Sequence, residues 1–142
     1  MKTIKQVLVK KGHDIYSTDP SVSVIDAVKV MAEKKVGALL VLEGGKLKGI
    51  ISEQDYTRKV ILTCLDADQM CVGDIMTTQI IVTKPDQPIQ EVMAIMTDRR
   101  IRHLPVMQDG ELVGLISIGD LVKEVISEQQ FIIAQLENYI QG

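Results

Sequence analysis

Two short segments of the chain share one pattern of glycine, serine and aspartate. GIISEQD runs from Gly49 to Asp55, and GLISIGD runs from Gly114 to Asp120. In each segment the serine follows an apolar run and precedes the aspartate by three positions. Ser-x-x-Asp at such a point is close to a capping box, in which side chains satisfy the free N–H groups of a helix start. A helix start with spare N–H groups also attracts anions, so helix capping and ligand binding both remain open.

The two segments belong to a long internal repeat. A shift of 65 residues, which moves Gly49 onto Gly114, aligns the chain with itself without a gap from the first predicted helix to the end of the second copy. Such self-similarity indicates a duplicated structural unit. The repeat predicts two domains: residues 1–65, with the N-terminal segment, and residues 66–142, with the linker and the C-terminal helix.

Each copy predicts the same order of elements. Apolar residues with helical spacing open each copy, namely Val24, Ala27, Val28 and Met31, then Ile89, Val92, Met93 and Met96. Two apolar runs follow, around Glu43-Gly44-Gly45 and around Asp109-Gly110, which are signals of tight hairpin turns. We therefore expect a mixed α/β (α+β) fold of two β-α-β-β-α repeats. One unit of about 60 residues buries too little surface to be stable alone, so we expect the two to pack face to face.

Composition and charge exclude several classes of function. There is no Trp, one Phe and a formal net charge of -3, which argues against stacking or phosphate-backbone contacts with nucleic acid. The lysine-rich N-terminus is not typical of a signal peptide, and the run ALLVL is too short to span a membrane. Cys64 and Cys71 lack the spacing of a metal site and are expected to be reduced thiols. We expect a cytoplasmic protein that does not bind membranes.

Motifs of catalysis are missing from the sequence. It has two histidines, His13 and His103, and no nucleophile elbow, P-loop, Rossmann fingerprint or metal-spaced Cys/His cluster. We therefore expect that the chain is not an enzyme and holds no metal or catalytic cofactor.

Taken together, the motifs resemble those of CBS domains. The resemblance lies in the tandem order of T-x-P, the helical methionine, the hairpin and G-h-h-S-x-x-D, where h is apolar, and it covers nearly the whole chain. It implies a pair of CBS domains with pseudo-two-fold symmetry, often called a Bateman module. It also implies regulatory binding of an adenine ligand such as AMP, ADP, ATP, NAD(H) or S-adenosylmethionine in clefts between the repeats.

The resemblance further implies two sets of binding residues. In the family, the aspartate accepts hydrogen bonds from ribose hydroxyls and the nearby serine contacts phosphate. One cleft would combine Ser17, Thr18, Gly37 and Ala38 with Ser117 and Asp120. The other would combine Val82, Thr83, Arg102 and His103 with Ser52, Asp55 and Arg58. Related pairs often have arginine where this chain has Gln54, which would weaken phosphate binding in the second cleft.

Several of these residues have simpler interpretations. Thr18 and Thr83 could start turns before the following prolines. Arg58 could be an ordinary solvated side chain one turn into a helix. Arg102 and His103 are the stronger candidates, because they lie where the chain enters an apolar strand and an arginine fork suits phosphate oxygens. The cleft with Arg102 is therefore expected to favour the more anionic ligand.

The alternative function is a scaffold for protein interactions that binds no ligand. The C-terminal segment from Glu128 places an apolar stripe on one helix face, made of Phe131, Ile132, Leu136 and Ile140. This stripe predicts docking on the core or on a second subunit, and together with Ile133 it could serve a homodimer. A ligand-responsive module would act on a separate target protein in trans, by favouring one of two geometries.

Overall fold

The computed structural model describes residues 2–141 and divides them into two compact units. The first helix, α1 (Ile4–Lys11), lies with the second repeat in a unit made of the described residues of Met1–His13 and Val82–Gly142. The other unit is Asp14–Ile81 and contains the first repeat and the linker. The N-terminal helix thus belongs to the unit of the second repeat, and the linker belongs to the unit of the first repeat. The predicted domains 1–65 and 66–142 instead divide the chain at a single point.

The unit Asp14–Ile81 is a three-stranded sheet covered by helices. Its elements are β1 (Ser17–Thr18), α2 (Val24–Lys34), β2 (Ala38–Glu43), β3 (Lys46–Ser52), α3 (Glu53–Tyr56), a π-helical segment (Thr57–Ile61) and α4 (Val72–Ile75). Strand β2 pairs with β1 in parallel and with β3 in antiparallel orientation. The predicted face of α2 is confirmed in part, since Val24, Ala27 and Met31 are buried in the aliphatic core.

The unit that contains the second repeat has one strand fewer. Its remaining elements are α5 (Ile89–Arg99), β4 (His103–Gln108), β5 (Glu111–Ser117) and α6 (Ile118–Gln141). The predicted first strand of this repeat is reduced to a single parallel bridge between Thr83 and Val106. In the first repeat the N–H of Leu40 donates to the carbonyl of Tyr16. The equivalent residue here is Pro105, which has no N–H to donate.

Both predicted hairpin turns are confirmed. The two-residue loops are Gly44-Gly45 and Asp109-Gly110, and all four residues have positive φ between 52° and 81°. Positive φ at both positions is the mark of the type I′ turn, whose twist matches that of the flanking strands. The mixed α+β fold predicted from the sequence is also confirmed. Among residues 2–141, no helix combines the length and apolarity needed to cross a membrane.

Helix α1 packs closely on the sheet of the second repeat. A Cβ atom added at Gly114 would lie 2.7 Å from Cδ2 of Leu8, which is buried. The first repeat has the same arrangement at Gly49, where the neighbouring atom is Sδ of Met76 at 2.8 Å. The glycine of each G-h-h-S-x-x-D motif therefore makes room for a segment that arrives from elsewhere in the chain.

Charged groups reinforce the docking of α1. The carboxylate of Glu124 in α6 is nearly buried and forms ion pairs with Lys2 and, at 3.0 Å, with Lys10. The hydrogen bond from Lys2 holds the pKa of Glu124 below its usual value against the opposing effect of burial, with help from Lys10. A buried carboxylate paired in this way stays ionised and ties α1 to α6.

The contact between Gly114 and Leu8 gives a test of this packing. We expect Gly114→Ala to lower the free energy of unfolding by about 1–3 kcal/mol, because the new methyl group overpacks the contact. Leu8→Ala should cost about 2–5 kcal/mol by itself because it leaves a cavity. In the double variant the methyl group enters that cavity, so urea denaturation should give a smaller loss than the sum of the two.

The control is Gly119→Ala, since a Cβ at Gly119 would have only one neighbour, Oγ of Ser117 at 3.6 Å. It should leave stability unchanged or raise it, as alanine is the better helix former. Strictly additive losses for Gly114→Ala and Leu8→Ala would mean that the two residues are not in contact.

Candidate functional site

The serine and aspartate of the second motif cap α6. The backbone N–H of Ser117 donates to Oδ2 of Asp120 at 2.8 Å, and the N–H of Asp120 donates to Oγ of Ser117 at 3.1 Å. This reciprocal arrangement is the capping box expected from the sequence. All hydrogen bonds that Asp120 accepts from residues 2–141 use Oδ2, so Oδ1 keeps its acceptor capacity for another group.

Two predicted basic residues lie next to this cap. His103 is the residue of β4 paired with Ser117 at the end of β5. The carbonyl of Arg102 accepts a hydrogen bond of 2.8 Å from the N–H of Ile118. The antiparallel register of the hairpin therefore brings the start of β4 to the start of α6. The Arg102 side chain is exposed and His103 is partly buried.

A third basic residue comes from α1. The Nζ atom of Lys11 lies 2.7 Å from Oδ2 of Asp120 and also donates to the carbonyl of Leu115. Lys11 is the last residue of α1, so the docking of that helix sets its position. We call this cluster the Asp120 site; its members are Lys11, Arg102, His103, Ser117 and Asp120.

The charges of the Asp120 site influence one another. Burial would raise the pKa of Asp120, but hydrogen bonds from Lys11 and Ser117 together with the charge of Lys11 outweigh it, so the pKa is lowered. For His103, burial first and the charge of Lys11 second lower the pKa. At neutral pH the site thus contains an ionised aspartate, a neutral histidine and two cations.

The first repeat has a corresponding cluster with different chemistry. We call it the Asp55 site; its members are Gly37, Ala38, Ser52, Asp55, Lys59 and Thr77. Oδ2 of Asp55 accepts from the N–H of Ser52 at 2.9 Å, while Oδ1 accepts from Thr77 and pairs with Lys59, both at 3.2 Å. Both carboxylate oxygens are therefore engaged within the unit.

The β2–β3 register completes the Asp55 site. Ala38 is paired with Ser52, and the carbonyl of Gly37 accepts from the N–H of Glu53. Gly37 and Ala38 occupy the places that Arg102 and His103 occupy in the other unit, so the Asp55 site has a single cation, Lys59. The Asp55 and Asp120 sites therefore differ in charge, while the inequality predicted for clefts that combine both repeats stays a prediction.

The structure groups the predicted residues by repeat. Arg102 and His103 lie beside Ser117 and Asp120, and Gly37 and Ala38 lie beside Ser52, although the resemblance assigned these groups to opposite clefts. The combination of residues from both repeats in one cleft stays a prediction. Arg58 is exposed on the π-helical segment, where it forms no ion pair with any residue from 2 to 141.

The predicted residues that precede α2 and α5 lie along β2 and β4, away from the two capping boxes. Ser17 and Thr18 pair with Leu40 and Val41 in β2. Thr83 is buried opposite Val106, and its hydroxyl donates to Gln87. Val106 lies three positions after His103 in β4, which corresponds to about 10 Å. The structure thus gives Thr83 a role in the fold and leaves its neighbour Val82 exposed.

The predicted sets of binding residues leave out three polar members of these sites, namely Lys11, Lys59 and Thr77. Lys11 precedes Asp120 by 109 residues, and Thr77 lies in the linker, outside both motifs. The run MKTIKQVLVKK does show a basic helix end, but nothing local indicates which carboxylate it meets. Within residues 2–141 there is no cluster of three or more His, Cys, Asp or Glu side chains that could hold a metal.

Comparison with known proteins gives the family. The CBS domain family model matches residues 4–61 and 72–127. The mitochondrial CBS domain-containing protein CBSX3 of Arabidopsis thaliana is 40% identical over 151 residues, covering 99% of this chain and 72% of the relative. The structure of a protein with CBS domains from Burkholderia ambifaria MC40-6 is 46% identical with a TM-score of 0.87, covering 90% of this chain and 96% of that chain.

A third likeness concerns the fold alone. The CBS domain pair of protein MJ0100, solved in complex with 5′-methylthioadenosine and S-adenosyl-L-methionine, has a TM-score of 0.78 at 22% identity and covers 90% of this chain and 98% of that chain. The matches with the family model begin at the first residues of α1 and α4, include both hairpins and end after each capped aspartate. This chain therefore belongs to the CBS domain family and carries two CBS domains in tandem.

Proposed function

We propose that the chain is a regulatory module that binds an adenine nucleotide at the Asp120 site. One observation carries the proposal: the capped carboxylate of Asp120 keeps Oδ1 available and pairs with Lys11, and the start of β4 brings Arg102 and a neutral His103 next to the same helix end. A carboxylate accepts hydrogen bonds from the two ribose hydroxyls, and cations attract phosphate. A site with both groups suits a nucleotide better than a nucleoside or a free phosphate.

Comparison with the Asp55 site also favours the Asp120 site as the place where the nucleotide binds. There the two oxygens of Asp55 are already engaged by Ser52, Thr77 and Lys59. A ribose would have to displace one of these partners, at the cost of the hydrogen bond that is lost. We therefore propose that the Asp120 site has the higher affinity of the two and prefers the more anionic ligand.

Membership of the CBS domain family favours an adenine compound as the ligand. The CBS domain pair of MJ0100 holds two adenosyl compounds in a fold that resembles this one. That observation makes adenine compounds the first class to test here, with AMP, ADP, ATP, NAD, NADH and S-adenosylmethionine as members. The charges of the Asp120 site favour the phosphorylated members over S-adenosylmethionine.

Regulation would follow from a difference in affinity. A nucleotide that binds one conformation better than another shifts the population toward it, by no more than that difference. We propose that a separate protein responds to this shift and that the module itself catalyses no reaction. The cytoplasm stays the predicted compartment; the name of the Arabidopsis relative assigns that protein to mitochondria.

Thermal unfolding against the ligand panel tests the proposal. A ligand at about one hundred times its dissociation constant should stabilise the protein by roughly 2.7 kcal/mol, which is several degrees for a domain of this size. We expect the largest shift with a phosphorylated adenine ligand. Asp120→Asn should abolish it, because the amide loses the charge and half of the acceptor capacity but can still accept the N–H of Ser117.

Asp55→Asn is the matched control, since it makes the same change in the other capping box. It should leave most of the shift intact. If no ligand shifts the transition of the unchanged protein, the module is a scaffold for interactions and both motifs serve only to cap helices. If Asp55→Asn abolishes the ligand-induced shift in unfolding temperature and Asp120→Asn does not, the nucleotide binds at the Asp55 site instead.

The C-terminal helix supports the proposed homodimer. After Glu128, most of α6 is exposed, so its apolar residues are not covered by other residues of the described range 2–141. One stripe runs along the helix at heptad spacing and consists of Val122, Ile126, Ile133, Leu136 and Ile140, each at least 39% exposed. In the heptad repeat, Ile126, Ile133 and Ile140 occupy a positions and Leu136 a d position, a combination that favours a two-stranded coiled coil. The other two d positions hold Val122 and Gln129. A second copy of this chain is therefore the proposed occupant.

Sedimentation velocity tests the homodimer. The unchanged protein should sediment as a dimer at micromolar concentration. Ile133→Glu should shift it to a monomer, because a charge in the apolar seam must be desolvated on association. Gln135→Glu, which adds the same charge at an exposed position of α6 outside the stripe, is the control and should remain dimeric. A dimer that survives Ile133→Glu would show that another surface holds the copies together.

A further inference from the structure

The ion pair between Lys11 and Asp120 lies in the wall of a cavity between α1 and α6. This cavity has a volume of about 350 Å³. Its charged lining residues are Lys10, Lys11, Lys123, Asp120 and Glu124. Three ammonium groups therefore face two carboxylates, which leaves an excess of one positive charge. An anionic group that entered this cavity would meet a favourable field.

Lys11 differs in its partners from Lys10 of the same helix and from Lys2, which precedes α1. Lys2 and Lys10 both bind Glu124, the buried carboxylate that ties α1 to α6. Lys11 binds instead the partly exposed Asp120, and its own side chain is 33% exposed. The helix thus stays attached through Glu124 when Lys11 changes partner, which leaves Lys11 free to serve a ligand.

We propose that Lys11 is a phosphate-contacting residue that makes the Asp120 site prefer phosphorylated adenosine over adenosine. This proposal rests on nucleotide binding at that site. Without ligand, the ammonium group stays on Oδ2 of Asp120 and on the carbonyl of Leu115. When a nucleotide binds, one ribose hydroxyl donates to Oδ1 of Asp120, which has no partner among residues 2–141, and the other replaces Lys11 on Oδ2. Lys11 then turns to the phosphate.

The chemistry of lysine suits this exchange. Its ammonium group carries three donors on a flexible four-carbon stem, so it can move by several ångströms without moving the backbone. Arg102 can add a fork to the same phosphate, whereas neutral His103 contributes a hydrogen bond but no charge. A ligand without phosphate displaces Lys11 from Asp120 and provides no new partner for its ammonium group. The site therefore binds a phosphorylated ligand more tightly than an unphosphorylated one.

Calorimetric titration of AMP and of adenosine tests the proposal on the full chain. The proteins are the unchanged chain, Lys11→Met, and Lys5→Met as a control, since Lys5 is exposed on the same helix and forms no ion pair with residues 2–141. Competition with a fluorescent adenine nucleotide extends the range to weak binding of adenosine. Thermal unfolding of each variant shows that it is folded.

We expect the unchanged chain to bind AMP more tightly than adenosine. Lys11→Met should reduce this ratio roughly tenfold, as for the loss of one hydrogen bond to a charged group. Affinity for adenosine should be kept or raised, because Asp120 is then free. Lys5→Met should leave the ratio unchanged.

Other outcomes overturn the proposal in distinguishable ways. If Lys11→Met changes both affinities by the same factor, Lys11 merely competes for Asp120 and does not contact phosphate. If neither affinity changes, Lys11 is not part of the binding site, while the binding of nucleotides stands. If the unchanged chain binds neither AMP nor adenosine, this proposal fails. If it also binds no other member of the ligand panel, the proposed function fails with it.

Discussion

The docking of α1 on the second repeat is the contact on which the Asp120 site depends. Gly114 lets Leu8 approach the sheet, and the buried carboxylate of Glu124 fixes the helix through Lys2 and Lys10. These contacts determine where α1 ends and therefore where Lys11 lies. A residue from the start of the chain thus becomes a neighbour of Asp120.

Duplication of a sequence has produced two sites that are alike in backbone and different in charge. Both capping boxes, both type I′ turns and both close approaches at glycine recur at equivalent positions. The side chains around them do not. Lys59 and Thr77 occupy both oxygens of Asp55 together with Ser52, whereas Asp120 keeps one oxygen available beside a richer set of cations. Because the two backbones match and the charged side chains differ, the two repeats can share a fold and still prefer different ligands.

Local features were predictable from the sequence and long-range ones were not. Asp109-Gly110 and Ser-x-x-Asp act within a few residues, so their turns and caps follow from residue type alone. The second repeat lacks the first strand because Pro105 cannot donate a hydrogen bond to it. Pro105 is visible in the sequence, but this effect can be predicted only if the partner of that strand is already known. The contact of Lys11 with Asp120 depends on which sheet α1 covers, and amphipathic spacing in α1 does not specify its partner.

The most direct test of the account is a crystal structure of the protein grown with AMP. We expect electron density for the ribose within hydrogen-bonding distance of the Asp120 carboxylate, with Lys11 moved from that carboxylate to the phosphate and α1 still held by Glu124. A nucleotide bound away from Asp120, with the pair between Lys11 and Asp120 intact, would contradict the central claim that this carboxylate and its neighbouring cations form the binding site.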